Sequence, residues 1–405
     1  MKRSLYICAA FLLLASGVCL SALWKTTDAQ VRGELAAPAF KPAFNVDPFW
    51  PKPLPKHWVL GSVTGVAVDA QDHIWITHRG ADSLGNNEKG AILNPPTGCC
   101  EPAPQVLEFN QAGTLVSHWG GTGEGYQWPQ STGAITIDHK GNVWIAAAGQ
   151  PEPAASRGTT PSPAPRPQDA HVLKFTRSGK FILQIGQAGK TENNDSKTGL
   201  NRPAAMAVDP STNEVFIADG FGNRRIIVFD ADTGAYKRSW GAYGEKPDDS
   251  DPGSYDPNAP PAKQFRTVSC VSIAKDGLVY VCDRQNDRIQ VFRKDGKFVK
   301  EAFVSKSTLG DGSVWSVAFS PDPQQRFLYV ADGQDKKVFI LNRETLNVIG
   351  DFGEGGRMAG QFYGLGNVAV DSKGNVYTGE TFEGKRVQKF IYKSIGKVAQ
   401  TGKAR

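Results

Sequence analysis

The chain has 405 residues, 40% of them hydrophobic and 21% charged, with 44 Gly, 26 Pro and a net charge of +6. This balance excludes wholesale disorder, and the Gly and Pro content falls short of collagen or low-complexity sequence. Three Met exclude a Met-lined groove, and with so mild a charge and no run of like charges no nucleic-acid partner is expected.

In chain order, residues 1–29 read as a signal peptide. Lys2 and Arg3 form a basic start, Leu5 to Leu23 carries no charge, and Thr27-Asp28-Ala29 offers small residues for a cut after Ala29. The 19-residue apolar run also fits an uncleaved anchor. Either way the body is expected outside the cytoplasm, periplasmic or extracellular, with no further membrane span. Residues 30–55 form a Pro-rich segment, and a basic tail occupies 396–405.

From residue 56 to 395 one unit recurs: an alternating strand, a turn with Asp or Gly, a second strand and a polar corner. The copies are 65–80 (GVAVDAQDHIWITHRG), 134–149 (AITIDHKGNVWIAAAG), 205–220 (AMAVDPSTNEVFIADG), 270–284 (CVSIAKDGLVYVCDR), 316–333 (SVAFSPDPQQRFLYVADG) and 367–381 (NVAVDSKGNVYTGET). A second hairpin follows each, so each copy supplies four short antiparallel strands. A lone four-stranded sheet cannot bury both faces, whereas six packed radially bury all of them; the expectation is an all-β, six-bladed β-propeller. The sixth unit lacks a clear fourth strand, and residues 56–61 (KHWVLG) are expected to complete it and close the ring. Insertions near 151–168 and 246–261 interrupt the rhythm. Asp248, Asp249 and Asp251 in the second are candidate calcium ligands, set against a solvated loop, because the sequence shows no alternating Asp ladder.

An exported chain permits disulfides. If Ala274 pairs with Leu278 in a hairpin, Cys270 and Cys282 face each other, as a bridge or as two reduced thiols. Cys99 and Cys100 form either a vicinal disulfide or bridges to other partners. There is no CxxC, and no His stands at zinc spacing from a Cys.

The punctuation Gly353-Glu-Gly-Gly-Arg-Met-Ala-Gly-Gln-Phe, Trp119-Gly-Gly-Thr-Gly and Trp240-Gly-Ala-Tyr-Gly resembles NHL repeats. The corners His78-Arg79-Gly80, 218–226 (ADGFGNRRI) and 282–289 (CDRQNDRI), with Gln264-Phe265, resemble the peptidyl-α-hydroxyglycine α-amidating lyase family, six-bladed NHL-type propellers. That family releases a peptide amide and glyoxylate, using two arginines and a tyrosine around a histidine-held zinc with a calcium nearby. The resemblance places its arginines at Arg79 and Arg284, read as a pair on neighbouring corners that binds a carboxylate bidentately. The competing reading pairs each Arg with a local Asp such as Asp283 or Asp287.

The family's tyrosine falls at Phe221, which has no hydroxyl. Its zinc histidines fall at Gly133, Ser269 and Gly366, with Asn367 at the adjacent acidic position, so neither zinc nor another cofactor is expected, while calcium is possible. Of His57, His73, His78, His118, His139 and His171, only His78 is placed to reach the central mouth. Asp219, Asp283, Asp332 and Glu380 end the inner hairpins, as a cation-binding ring or as turn caps. Asn223, Arg224 and 286–288 are read as blade-joining residues.

The expected function is that of an exported, monomeric binding protein. It presents His78, Arg79, Phe221, Arg284, Gln334 and Glu380 to a small anionic or peptide-like ligand and is a degenerate relative of the lyase. The alternatives are an active lyase or metal-assisted hydrolase with a non-standard site, and a protein-interaction scaffold.

Overall fold

A computed structural model describes residues 40–149 and 168–397; the leader, most of the first insertion and the tail beyond 397 lie outside the described residues. Residues 41–396 form one compact unit. Six four-stranded antiparallel sheets follow one another along the chain. Their innermost strands are Val63–Val68, Thr132–Ile137, Ala205–Asp209, Val268–Ile273, Ser316–Phe319 and Leu365–Val370, heading blades 1 to 6.

The second strands show why the ring packs. Ile74–His78, Val143–Ala147, Val279–Asp283, Phe327–Asp332 and Val376–Glu380 are buried at every position, because each is covered by a blade on either side. Their sequences are accordingly apolar on both faces rather than alternating. Outer strands such as Leu115–Trp119 are partly exposed throughout. The core divides into six apolar clusters, one per blade interface. Trp75 with Ile135 and Phe175 joins blades 1 and 2, and Phe216 with Phe292 joins blades 3 and 4. Val66 with Ala369 and Tyr377 joins blade 6 back to blade 1.

The strand that completes blade 6 is Phe40–Asp47, not residues 56–61: it pairs with Arg386–Lys397 at the outer edge. Pro42, Phe44 and Val46 alternate inward, and the Phe44 ring packs on Tyr329, Phe352 and Tyr392. Pro42 made this segment read as linker, but an edge strand tolerates a residue that cannot donate to the ladder. Trp58–Val59 instead forms a short parallel pair with Glu101–Pro102 beside blade 1. Between the two, Trp50 is buried against Phe109 and Tyr377, filling the blade 6–blade 1 interface.

Cys270 and Cys282 sit directly opposite each other in blade 4, with Cα atoms 4.9 Å apart, and are bonded; Cys99 and Cys100 form a vicinal disulfide. Among the described residues no helix is long and apolar enough to cross a membrane.

Candidate functional site

Innermost strands begin, and second strands end, at the same mouth of the ring, as pairings such as Val63 with His78 and Val268 with Asp283 require. The corners there follow one rule, except in blade 2, whose second strand ends at Ala147 and where Asp169, ahead of the third strand, accepts from Ser131 N at 3.0 Å and Gly149 N at 2.7 Å. A buried acceptor closing the second strand gathers backbone N–H groups, most often from the connection that leads into its own blade's innermost strand. Asp219 accepts from Asn201 N at 2.9 Å and Asp283 from Arg266 N at 2.8 Å; Glu380 accepts from Tyr363 N at 2.7 Å and Gly364 N at 3.1 Å. Each also takes an arginine from the third strand: Arg225 Nε at 3.0 Å, Arg288 Nε at 2.8 Å, and Arg386 Nε. Asp332 accepts from Gln334 N at 2.9 Å and Asp335 N at 2.8 Å. Glu380 and its three counterparts thus work as corner locks.

His78 is the blade 1 version. It is fully buried, Nδ1 accepts from Gly61 N at 3.1 Å and Gly80 N at 3.0 Å, and Nε2 donates to Pro104 O at 2.9 Å. Burial lowers its pKa to about 4, so the ring is neutral with both nitrogens committed to backbone. The structure therefore places His78 beneath the mouth surface, while Gln334 stands exposed on the blade 5 corner.

The remaining mouth residues are arginines and aromatics in a connected arc. Arg202, on the approach to blade 3, lies 5.8 Å from the Phe221 ring, and Arg284 on the blade 4 corner lies 5.7 Å from the same ring. Arg284 also lies 4.4 Å from the ring of Trp315, which leads into blade 5. Trp315 meets Phe382 of the blade 6 corner edge-on at 6.1 Å. Ser62 Oγ donates to Phe382 O at 2.7 Å, and Ser62 O accepts from Arg79 N at 3.0 Å, which brings the arc round to blade 1.

Arg79 and Arg284 are not on neighbouring corners. Ring order follows chain order, so blades 1 and 4 face each other across the mouth, with Trp315, Phe382 and Ser62 between the two arginines on one side. Nor does Arg284 pair with Asp283 or Asp287; Arg288 takes Asp283, and Arg284 Nη2 reaches only Asp311, at 3.4 Å. The Arg284 side chain is 14% exposed, and its Nε, like those of Arg79 and Arg202, is buried without an acceptor among the described residues. Burial pulls the pKa of all three guanidiniums down, opposed by Asp169 at Arg202 and by Asp311 at Arg284. Arg202, Trp315 and Phe382 escape sequence reading because they lie outside the repeated hairpin. Their signal is positional: Arg202 and Trp315 each stand shortly before an innermost strand, at the height of the corners.

Innermost strands are bulged at Thr64, 133–134, Ser269 and Gly366, an irregularity that re-aims a side chain. Three of these bulges carry the positions that the resemblance assigns to the family's zinc histidines. Here Gly133 and Gly366 offer no ligand, and Ser269 Oγ donates to the carbonyls of Val314 and Trp315, both at 3.0 Å. A Cβ at Gly133 would lie 3.0 Å from the Ala146 methyl, so the site is also tightly covered there.

Among the described residues one cluster has metal-ligand spacing, Asp69, His73 and Glu108, at the opposite ends of the blade 1 strands. Arg177 from blade 2 fills it, bonded to Asp69 at 2.9 Å and to Glu108, with its guanidinium 5.1 Å from the Trp75 ring, so the cluster reads as an inter-blade ion network. In the 246–261 insertion Asp248 and Asp251 accept from nearby backbone N–H groups and Asp249 from the Asn194 amide.

No family model matches the chain. It is 25% identical over 334 residues to peptidyl-glycine alpha-amidating monooxygenase B of Xenopus laevis, covering 79% of this chain and 33% of that protein. It thus spans about a third of the length of that relative. NHL repeat-containing protein 3 of Homo sapiens is 26% identical over 343 residues, covering 84% of this chain and 78% of its own length. A probable peptidyl-alpha-hydroxyglycine alpha-amidating lyase of Caenorhabditis elegans is 22% identical over 244 residues, covering 58% and 56%. The chain is therefore similar to both amidating and NHL-repeat proteins.

Proposed function

We propose that the protein is an exported binding propeller for a small ligand with a free carboxylate, peptide-like in character, and a degenerate relative of the amidating lyases. The observation that carries this reading is Arg284 between two aromatic rings. Trp315 and Phe221 lie 4.4 and 5.7 Å from its guanidinium, whose buried Nε has no acceptor and whose Nη2 has one long contact, so much of its hydrogen-bonding capacity is unmet. A guanidinium fork matches a carboxylate. Arg202 on the approach to blade 3 and Arg79 across the mouth repeat the unmet Nε, and Phe221, Trp315 and Phe382 supply an apolar wall for the group next to the carboxylate. The two disulfides are compatible with export.

Lyase chemistry needs a base and an electrophile at this mouth. Phe221 has no hydroxyl, and the bulge positions offer no imidazole, so the binding reading is favoured over it. The test is calorimetric titration of the full chain with an acetylated tripeptide bearing a free carboxylate, beside its amide. The carboxylate is expected to bind at least about tenfold more tightly, and Arg284→Gln to remove that margin, as loss of a charge-assisted bond implies. Equal binding of the amide, or an unchanged Arg284→Gln variant, overturns the proposal. Glyoxylate release from a peptidyl-α-hydroxyglycine that Arg79→Gln and Arg284→Gln abolish would put the lyase reading in its place.

A further inference from the structure

A cavity of about 480 Å³ opens beside the mouth, where the 246–261 insertion lies over blades 3 and 4. That volume is in the range of small-ligand sites. Arg224, Arg266, Tyr255, Gln285 and Asp251 are among its lining residues. Burial lowers the pKa of Arg266 and the nearby charge of Arg224 adds to the drop, while Asp283 and Asp251 act the other way without forming an ion pair with it among the described residues. Arg224 Nη1 donates to Ser250 O, while Arg266 Nη1 donates to Gly253 O, Nη2 to Pro252 O at 3.4 Å and Nε to Asn286 Oδ1 at 3.1 Å. A guanidinium has five N–H donors, so the described bonds leave most of Arg224 unused. Two guanidiniums against Asp251 leave the lining one positive charge, which suits a monoanion.

The cavity and the arginine arc are built from the same two loops. Gln285, whose side chain borders the cavity, follows Arg284 in the chain, and Gly310 of the lining precedes Asp311, the partner of Arg284. Resting on the carboxylate-binding reading of the mouth, we infer that the ligand is a peptide with an acidic side chain near its C-terminus: its terminal carboxylate is held at Arg284, and the acidic side chain enters the cavity between Arg224 and Arg266. Tyr255 and Gln285 provide polar groups along the way, and neither arginine needs to move far, because the insertion's carbonyls already fix them.

The experiment titrates the full chain with acetylated tetrapeptides that differ only in Glu or Gln, placed one, two or three residues before a free carboxylate. At one position at least, the Glu peptide is expected to bind ten times more tightly than its Gln twin. Arg224→Gln/Arg266→Gln should erase that preference and leave the Gln peptide's affinity unchanged, with thermal melting as the check on folding. Arg224→Glu, which sacrifices one described bond to Ser250, should invert the preference towards a Lys peptide. Arg284→Gln should weaken Glu and Gln peptides alike. Equal binding of Glu and Gln at all three positions, with Arg284→Gln still weakening both, overturns this inference and leaves the mouth reading standing. A Glu preference that survives Arg224→Gln/Arg266→Gln also overturns it. If no peptide prefers a free carboxylate to an amide, the mouth reading falls and takes the acidic-peptide inference with it.

Discussion

Asp332 and Asp287 are the most perturbed carboxyls near the mouth. Both are fully buried, each leaves one oxygen without a partner, and burial pushes each pKa up to about 7. Asp335 faces both and adds to the rise, while the Ser313 N–H, 2.8 Å from Asp287, opposes it. A carboxyl whose folded pKa is raised binds its proton more tightly in the folded state than in the unfolded one. Its contribution to stability therefore falls as pH climbs from about 4 through about 7. Asp332→Asn keeps an oxygen for Gln334 N and Asp335 N and removes the charge. It should raise the melting temperature at pH 8 by roughly 5 °C and by clearly less at pH 5, where the folded carboxyl is still protonated and only the unfolded chain's has ionised. An equal effect at both pH values would refute the assignment. His78 has the opposite sign: held neutral down to about 4, it costs stability as pH falls below about 6.5, so the comparison of variant with parent is what isolates Asp332. At this scale the sequence singles out residues that depart from the repeat, as Arg79 and Arg284 do. The cation–π contacts that tie Arg284 to Trp315 and Phe221 join three blades, and no spacing within one copy reveals them.

At the scale of the element, the blade 4 hairpin carries its own constraint. Cys270 and Cys282 are 12 residues apart, and cross-linking so short a loop stabilises by at most about 3 kcal/mol. Cys270→Ala/Cys282→Ala should therefore lower the denaturation free energy by no more than that, read from urea midpoints at constant slope; a larger loss would mean that the packing of blades 4 and 5 had collapsed. This facing pair could be read from the sequence because register in a tight hairpin is arithmetic. The closing strand could not. Phe40–Asp47 is separated from its partner by nearly the whole chain, its alternation runs through Pro42, and the nearer Trp58 offered a stronger apolar signal. Pairing across the ends is decided by which segment can present Phe44 to Tyr329, Phe352 and Tyr392, a matter of three-dimensional fit.

For the whole molecule, six copies of one pattern made the propeller readable, and chain order fixed which corners face each other. Only the placement of Arg79 opposite Arg284 needed the ring to be drawn closed. Because every blade is covered by two neighbours, the ring is expected to melt as one unit, and the strand that seals blade 6 should matter more than its length suggests. Phe44→Ala is expected to cost about 2–3 kcal/mol, less than a fully buried ring because Phe44 is partly exposed. Deleting residues 40–47 should lower the melting point further and broaden the transition. A sharp transition at the parent temperature would show that the ring does not depend on its closing strand.

That closure also sets the order in which the molecule can be made. Blades 1 to 5 are each assembled from consecutive hairpins and can form as the chain emerges, but blade 6 joins the first described strand to the last. The sequence separation of that pairing is close to the largest among the described strands, so the step that locks the ring waits until the last strand is made. Until then both Phe40–Asp47 and the edge of Arg386–Lys397 lack their ladder partner, and that unpaired interval is when the open edges invite pairing with another chain.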